Sequence, residues 1–271
     1  MKKQPEHILH QVPQRIGACF CLLAAFLTLS TPKVRAENTE FPIGDGITAQ
    51  ITKNGALKEI TVAEVPVVAE VTAGGHLVGT PADAQDAESR LYQSWGWLQP
   101  DKAKFEATQD KISASGTIVP QSSQDPEQGC DFAIVYRKIR NGVLEISVEV
   151  TYAGTGLWNS PVSYFLYFPV AVLGDASIKT VEGNGSSEDY FVENEVAFKT
   201  PAAKDIKIRT AAWTLDLKAD GKSQLSLDDS RRWGADAIII TLGSRDSSKK
   251  PVEIEKGQKE VYSATLEFRK K

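Results

Sequence analysis

Cysteine and histidine are scarce in this chain of 271 residues, and their placement makes them scarcer still. Of three cysteines and three histidines, only Cys130 and His76 lie beyond residue 36. A single cysteine excludes an intramolecular disulfide and a cysteine-rich metal site in that region. A single histidine excludes multi-histidine metal centres and leaves room for at most one histidine-based triad. No P-loop, G-x-S-x-G elbow or H-E-x-x-H pair occurs. No cofactor and no metal site is therefore expected. Long apolar runs are missing beyond the first 36 residues, so no transmembrane segment is expected there. Helical periodicity is almost absent.

The first 36 residues read as a signal peptide. Lys2, Lys3 and Arg15 form a positive n-region, and Ile16–Leu29 is an uncharged core too short to span a bilayer comfortably. Val34-Arg35-Ala36 offers small residues before a cleavage site at Glu37. The expected mature chain, 37–271, has the length of one β domain with a single core. It holds 26 basic and 34 acidic residues, a net charge of −8. That balance disfavours nucleic acid and anionic membranes as partners, both of which need a basic face. It is compatible with neutral sugars. The expected location is secreted or periplasmic.

What is present is β pattern. Cys130–Tyr152 consists of two alternating runs around Asn141-Gly142, residues that tolerate the positive φ of a two-residue hairpin turn. A type I′ turn there predicts the pairs Arg140/Val143, Ile139/Leu144, Lys138/Glu145, Arg137/Ile146, Val135/Val148 and Ala133/Val150. Ala133, Val135, Ile139, Leu144, Ile146, Val148 and Val150 would then face the core. Phe132, Ile134, Tyr136 and Lys138 would share the other face with Glu145, Ser147, Glu149 and Thr151. Arg137 would be a charge on the core face, its stem snorkelling or its head meeting a ligand.

Elsewhere, Ile47–Ile51 and Leu57–Val71 read as strands, with Pro66 a break or an edge. Thr80-Pro81-Ala82-Asp83 reads as the start of a short helix reaching about Leu91. Lys104–Gln109 and Lys111–Val119 form a hairpin. Val162–Phe168, apolar on both faces, is a central strand. Further strands fall at 171–173, 178–181, 190–198, 206–210, 212–217, 224–227, 237–242 and 261–268. The class is all-β, a large antiparallel β-sandwich with at most one short helix.

Candidate binding residues are aromatic or charged. Trp95 and Trp97, one residue apart, would present both rings on one strand face, a geometry that stacks on sugar rings. Trp158 lies in a glycine-bounded loop. Arg231, Arg232 and Trp233 follow Asp228 and Asp229, offering guanidinium forks, carboxylates and a ring that can hold a pyranose. Adjacent Asp228 and Asp229 would point apart, which makes them a poor pair for glycoside hydrolysis. Tyr136 and Arg137 complete the set. Convergence of these groups on one concave face would favour a sugar site. Glu182–Glu195 reads as an acidic loop, Cys130 as a small buried hydrophobe, and His76 as an exposed turn histidine or, with a carboxylate partner, a general acid or base.

Three stretches, ITAQITKNGALKEI, GVLEISVEVTY with VSYFLYFPV, and VEIEKGQKEVYSATLEF, follow one another in an order that resembles the supersandwich domain of the galactose-mutarotase-like superfamily. The resemblance spans most of residues 45–268. It implies a carbohydrate partner, as epimerase, as a domain of a polysaccharide lyase or glycoside hydrolase, or as a stand-alone module. In the epimerases a histidine and a glutamate open the sugar ring. His76 falls ahead of the family's mid-chain histidine, so no catalytic residue carries over. The reading that follows is a non-catalytic glycan-binding or accessory module. The alternatives are a carbohydrate-active enzyme and a structural protein of the cell envelope.

Overall fold

The computed structural model describes residues 38–69, 76–86, 88–92, 102–192, 202–243 and 251–271, all within the compact unit Ala36–Lys271. Four strands come first: β1 (Asn38–Gly44), β2 (Ile47–Thr52), β3 (Leu57–Val62) and β4 (Val65–Ala69). They pair in that order as one sheet. β5 (Leu77–Pro81) and β6 (Leu91–Tyr92) follow, then β7 (Lys104–Ala107), β8 (Lys111–Ile118), β9 (Cys130–Arg140), β10 (Val143–Tyr152) and the 14-residue β11 (Gly156–Pro169). A single turn of helix, α1 (Val170–Leu173), leads into β12 (Ser177–Val181), β13 (Ser187–Phe191), β14 (Asp205–Arg209), β15 (Trp213–Ala219), β16 (Gln224–Asp229), β17 (Ala237–Gly243), β18 (Val252–Ile254) and β19 (Lys259–Lys270).

Two larger sheets complete the sandwich. One has nine strands in the order β13-β12-β14-β15-β19-β10-β9-β8-β7. The other has six, β16-β17-β11-β5-β6, with β18 also on β11. Among the described residues every strand pairing is antiparallel. β11 is the central strand that its two-sided apolar run predicts, hydrogen-bonded to β17 on one side and to β5 and β18 on the other. Val162, Tyr164, Leu166, Tyr167 and Phe168 are all buried. Each such side chain stabilises the fold by roughly 1.5–3 kcal/mol through removal from water.

Tyrosines stitch the three sheets. The Tyr164 hydroxyl lies 2.9 Å from that of Tyr136, which in turn donates to the Gly55 carbonyl at 2.8 Å. Tyr262 donates to the Val162 carbonyl at 3.0 Å. Burial pushes the hydroxyls of Tyr136, Tyr164 and Tyr262 well above the ordinary tyrosine range, because the phenolate would lose its water. The buried Cys130 thiol is raised for the same reason.

The structure corrects several sequence expectations. In the β9–β10 hairpin Arg140 does face Val143, but Lys138 then faces Leu144 and Tyr136 faces Ile146. Ile139 is the extra residue of a β-bulge, and one extra residue moves every side chain of β9 farther from the turn to the opposite face. Phe132, Ile134 and Tyr136 are therefore the core residues. Ala133 and Val135 turn outward, and Ile139 is 51% exposed. Glu145 pairs with Arg137, at 3.5 Å, in place of Lys138. The inward residues of β10 are as read: Leu144, Ile146, Val148 and Val150 are fully buried.

The stretch read as one run from Leu57 is two strands, β3 and β4, reversed at Ala63-Glu64, and its last two residues, 70 and 71, lie outside the described residues. Among the described residues the expected helix from Thr80 does not form, because Thr80 and Pro81 extend β5 along β11 and the chain beyond them turns. The expected strand at 171–173 is the turn of α1. Among the described residues no helix is long and apolar enough to cross a membrane.

Candidate functional site

At one end of the sandwich, four segments distant in sequence enclose a cavity of about 650 Å³. This lies within the 300–1,000 Å³ typical of ligand sites. Pro81, Ala82 and Asp83 come from the end of β5, and Ser89 from the turn ahead of β6. Ser122, Glu127, Gln128 and Gly129 come from the connection between β8 and β9. Gly154–Trp158 come from the start of β11 and the residues before it.

Local chemistry builds each wall. Pro126–Gln128 is a 3-10 turn opened by Asp125, whose carboxylate accepts the Glu127 amide at 2.9 Å. Ala153 donates to the Gly129 carbonyl at 3.1 Å, which draws this loop against the β10–β11 connection. The approach is so close that a Cβ on Gly154 would stand 2.0 Å from the Glu127 carbonyl oxygen. Only glycine fits there. Ala82 donates to the Leu157 carbonyl at 2.8 Å, holding the Asp83 wall to β11, and Ser122 donates to the Glu88 carbonyl at 3.0 Å. Lys256 closes the far side through its amide to the Thr155 hydroxyl at 3.1 Å and its ammonium to Glu127 at 3.2 Å.

The lining combines apolar and polar side chains. Trp158 is 5% exposed and packs edge-on against Tyr152, with ring centroids 5.1 Å apart. The Tyr152 hydroxyl accepts the Val162 amide at 2.9 Å and donates to the buried Glu260 at 3.4 Å. Leu157, the residue before Trp158 in β11, projects to the opposite face and is 52% exposed. Asp83, Ser89, Ser122, Glu127, Gln128 and Thr155 supply carboxylates, hydroxyls and an amide. Ser89 donates its hydroxyl to Asp86 at 2.8 Å and its amide at 2.9 Å. Those two bonds hold the Asp86 carboxyl below its ordinary range. Carboxylates, hydroxyls and an amide that line one cavity can hydrogen-bond a polyhydroxylated ligand.

Of the residues singled out in the sequence, Trp158 lines this cavity. Tyr136 is buried in the core, while Arg137, its neighbour on β9, points to the opposite side of the sheet. Arg231 lies in the 3-10 turn Ser230–Trp233, where its Nε and Nη2 fork onto the buried Asp229 at 2.9 and 2.6 Å. That bidentate pair raises the guanidinium pKa further. Arg232 and Trp233 share the turn, but their side chains lie outside the described residues, as do Trp95 and Trp97. Among the described candidates no convergence on one concave face occurs.

His76 is fully buried and not the exposed turn residue expected. Its Nδ1 donates to the Phe165 carbonyl at 2.6 Å, and its ring stacks on Tyr164 and meets Tyr167 edge-on. The Phe165 amide returns a 2.7 Å bond to the His76 carbonyl, so the residue is locked to the central strand. Cys130 is a buried core residue, as read, and Trp213 is buried as well. Asp83, Ser122, Glu127, Thr155 and Leu157 were missed. The one local signal for them was the concentration of glycine and turn residues at 120–129 and 153–156.

No protein-family model and no curated protein matches the sequence. Solved structures do match in fold. The chain is similar to a GalM/aldose epimerase homologue from C. elegans, with a TM-score of 0.57 and 12% identity over 87% of this chain and 99% of that one. It is similar to a galactose mutarotase-like protein from Lactobacillus casei, with a TM-score of 0.57 and 11% identity over 86% and 100%. It is also similar to a galactose 1-epimerase from Lactobacillus acidophilus, with a TM-score of 0.52 and 9% identity over 83% and 92%. At these identities the likeness establishes architecture and not activity. The chain has the galactose-mutarotase-like sandwich fold.

Proposed function

We propose that this protein is an exported, non-catalytic carbohydrate-binding or accessory sandwich whose ligand seats in the cavity at Trp158. The observation that carries the reading is that cavity, lined by Trp158 and Leu157 together with hydroxyls, an amide and two carboxylates. The fold supports a carbohydrate partner, since the solved structures it resembles are named as epimerases and mutarotase-like proteins. The buried His76 supports binding over ring opening. It is the one histidine beyond the leader, and it has no solvent path on which to meet a sugar oxygen. Export rests on the leader at residues 1–36.

The test is glycan-array binding by Ala36–Lys271, the unit that holds the whole sandwich, with polarimetry of freshly dissolved galactose and polysaccharide chain length followed in parallel. Binding that Leu157→Ala weakens, without faster mutarotation or chain cleavage, is the expected result. Catalysed mutarotation would overturn the non-catalytic reading and favour the epimerase alternative. Absence of any glycan binding would leave an envelope partner as the reading to pursue.

A further inference from the structure

Asn-Gly occurs three times in the chain, at 54–55, 141–142 and 184–185. This dipeptide can modify itself. The glycine nitrogen, once deprotonated, attacks the side-chain carbonyl carbon of the asparagine, and the missing Cβ of glycine leaves that approach open. The side-chain nitrogen leaves as ammonia and a succinimide ring remains. Water then opens the ring, at one carbonyl to give aspartate and at the other to give isoaspartate. One water is consumed and one ammonia released, and no oxidant or cofactor takes part. The asparagine side chain must swing and the backbone must meet it, so the fold decides which of the three sites reacts.

Two are held. Asn54 is 6% exposed, and its side-chain oxygen accepts the Thr52 hydroxyl and the Ala56 amide. The Tyr136 hydroxyl holds the Gly55 carbonyl at 2.8 Å. Asn141 lies at the surface, but its side chain is tied to the first sheet. Its oxygen accepts the Asp45 amide at 3.2 Å, and its nitrogen donates to the Asp45 carboxylate at 3.3 Å. A Cβ on Gly142 would stand 2.8 Å from the Phe268 carbonyl oxygen, so the backbone there is crowded as well. Asn184 differs. It is exposed in the turn between β12 and β13, and β13 is the terminal strand of the nine-stranded sheet. Among the described residues its side-chain bonds are local: Nδ2 donates to Glu182 at 3.2 Å, and Oδ1 accepts the Ser186 amide at 2.8 Å. The second bond turns the side-chain carbonyl forward along the chain, on the side of the Gly185 nitrogen. A Cβ built on Gly185 would meet nothing within 4 Å, which leaves room for the ring.

We propose that Asn184 is a self-modification site, at which the folded protein converts this residue to aspartate and isoaspartate while Asn54 and Asn141 stay intact. The Gly185 amide donates to the Glu182 carbonyl at 3.0 Å, so the turn must open before the nitrogen can attack. Opening an exposed turn at the sheet border is cheap, because few buried contacts are lost with it. Each event replaces a neutral amide by a carboxylate in a hairpin that already carries Glu182, Glu188 and Asp189. The isoaspartate product also lengthens the main chain of the turn by one carbon. The proposal stands apart from the carbohydrate reading and needs no ligand.

Ageing the intact protein in mildly alkaline buffer, where more of the glycine amide is deprotonated, tests the proposal. Peptide mass spectrometry reads the change from asparagine to aspartate at each of the three sites, and an isoaspartyl methyltransferase labels isoaspartate in the separated peptides. In the folded protein Asn184 is expected to convert at least about tenfold faster than Asn54 or Asn141, because the contacts that hold those two must open first. In urea-unfolded chain the three rates should converge, since the dipeptide is the same and the protection is gone. Asn184→Gln keeps an amide but must close a larger, slower-forming ring, and it should end conversion in the peptide that spans the turn. An Asn184 that stays intact in the folded protein while converting in the unfolded chain would overturn the proposal. Conversion of Asn54 or Asn141 at the Asn184 rate in the folded protein would overturn it too, as would conversion that persists in that peptide of Asn184→Gln.

Discussion

Two tight turns in this molecule invite comparison. Asn141-Gly142 joins β9 to β10 with residues that suit a left-handed turn, whereas Ala63-Glu64 joins β3 to β4 with residues that do not. Yet Ala63 and Glu64 both take positive φ, +50° and +68°, and at the other turn Gly142 alone does. Tertiary contacts account for the reversal. The Ala63 amide donates to the Gly46 carbonyl at 2.7 Å, which pins the β3–β4 turn to the one between β1 and β2. At the other turn Asn141 is occupied elsewhere: its side-chain oxygen accepts the Asp45 amide, and Gly142 donates to the Ile43 carbonyl. Local preference sets what a turn does alone, and docking sets what it does in the fold. The cost at β3–β4 is strain, and at β9–β10 it is the bulge at Ile139.

The largest test of this comparison is Ile134→Ala. With Ile139 bulged, Ile134 is fully buried, and its truncation should destabilise the protein by about 2–5 kcal/mol in a denaturant melt. Under the unbulged register Ile134 would face outward, and the loss would be small. Gly142→Ala should come next, at about 1–3 kcal/mol. It forces a left-handed alanine whose Cβ stands 2.8 Å from the Phe268 carbonyl oxygen. At the opposite turn the sign reverses: Ala63→Asn with Glu64→Gly relieves two left-handed side chains and should raise stability by about 1 kcal/mol. If the same melt shows no gain, strain is not what the β3–β4 turn costs. Ile139→Thr is the smallest, expected within about 0.5 kcal/mol of wild type because the side chain is half in water. A loss of the size seen at Ile134 would restore the unbulged pairing.

The same contrast explains what could be read from the chain. β10, β11 and the hairpin of β7 and β8 were legible because hydrophobic alternation, or its replacement by an unbroken apolar run, is a property of each segment alone. The side-chain faces of β9 were not, since one bulged residue inverts them and nothing in RKIRNG marks which residue is extra. Thr80-Pro81 has the composition of a helix start, but pairing with β11 outweighs a weak local preference. The candidate site was least legible. Trp158 was found as an aromatic beside glycines, but the loop that carries it is itself the start of β11. The walls facing it come from 81–83, 89 and 122–129, and no local pattern records that these segments meet.

β19, the last strand in chain order, occupies the middle of the nine-stranded sheet. Its neighbours are β15 and β10, both laid down earlier in sequence. Without it the sheet is two fragments, each ending in a long strand whose amides and carbonyls face nothing. Such naked borders recruit other chains. A nascent polypeptide therefore cannot complete this sheet piecemeal. Until Lys259–Lys270 arrive, a partly made copy carries two open strand borders and is prone to pair with other chains.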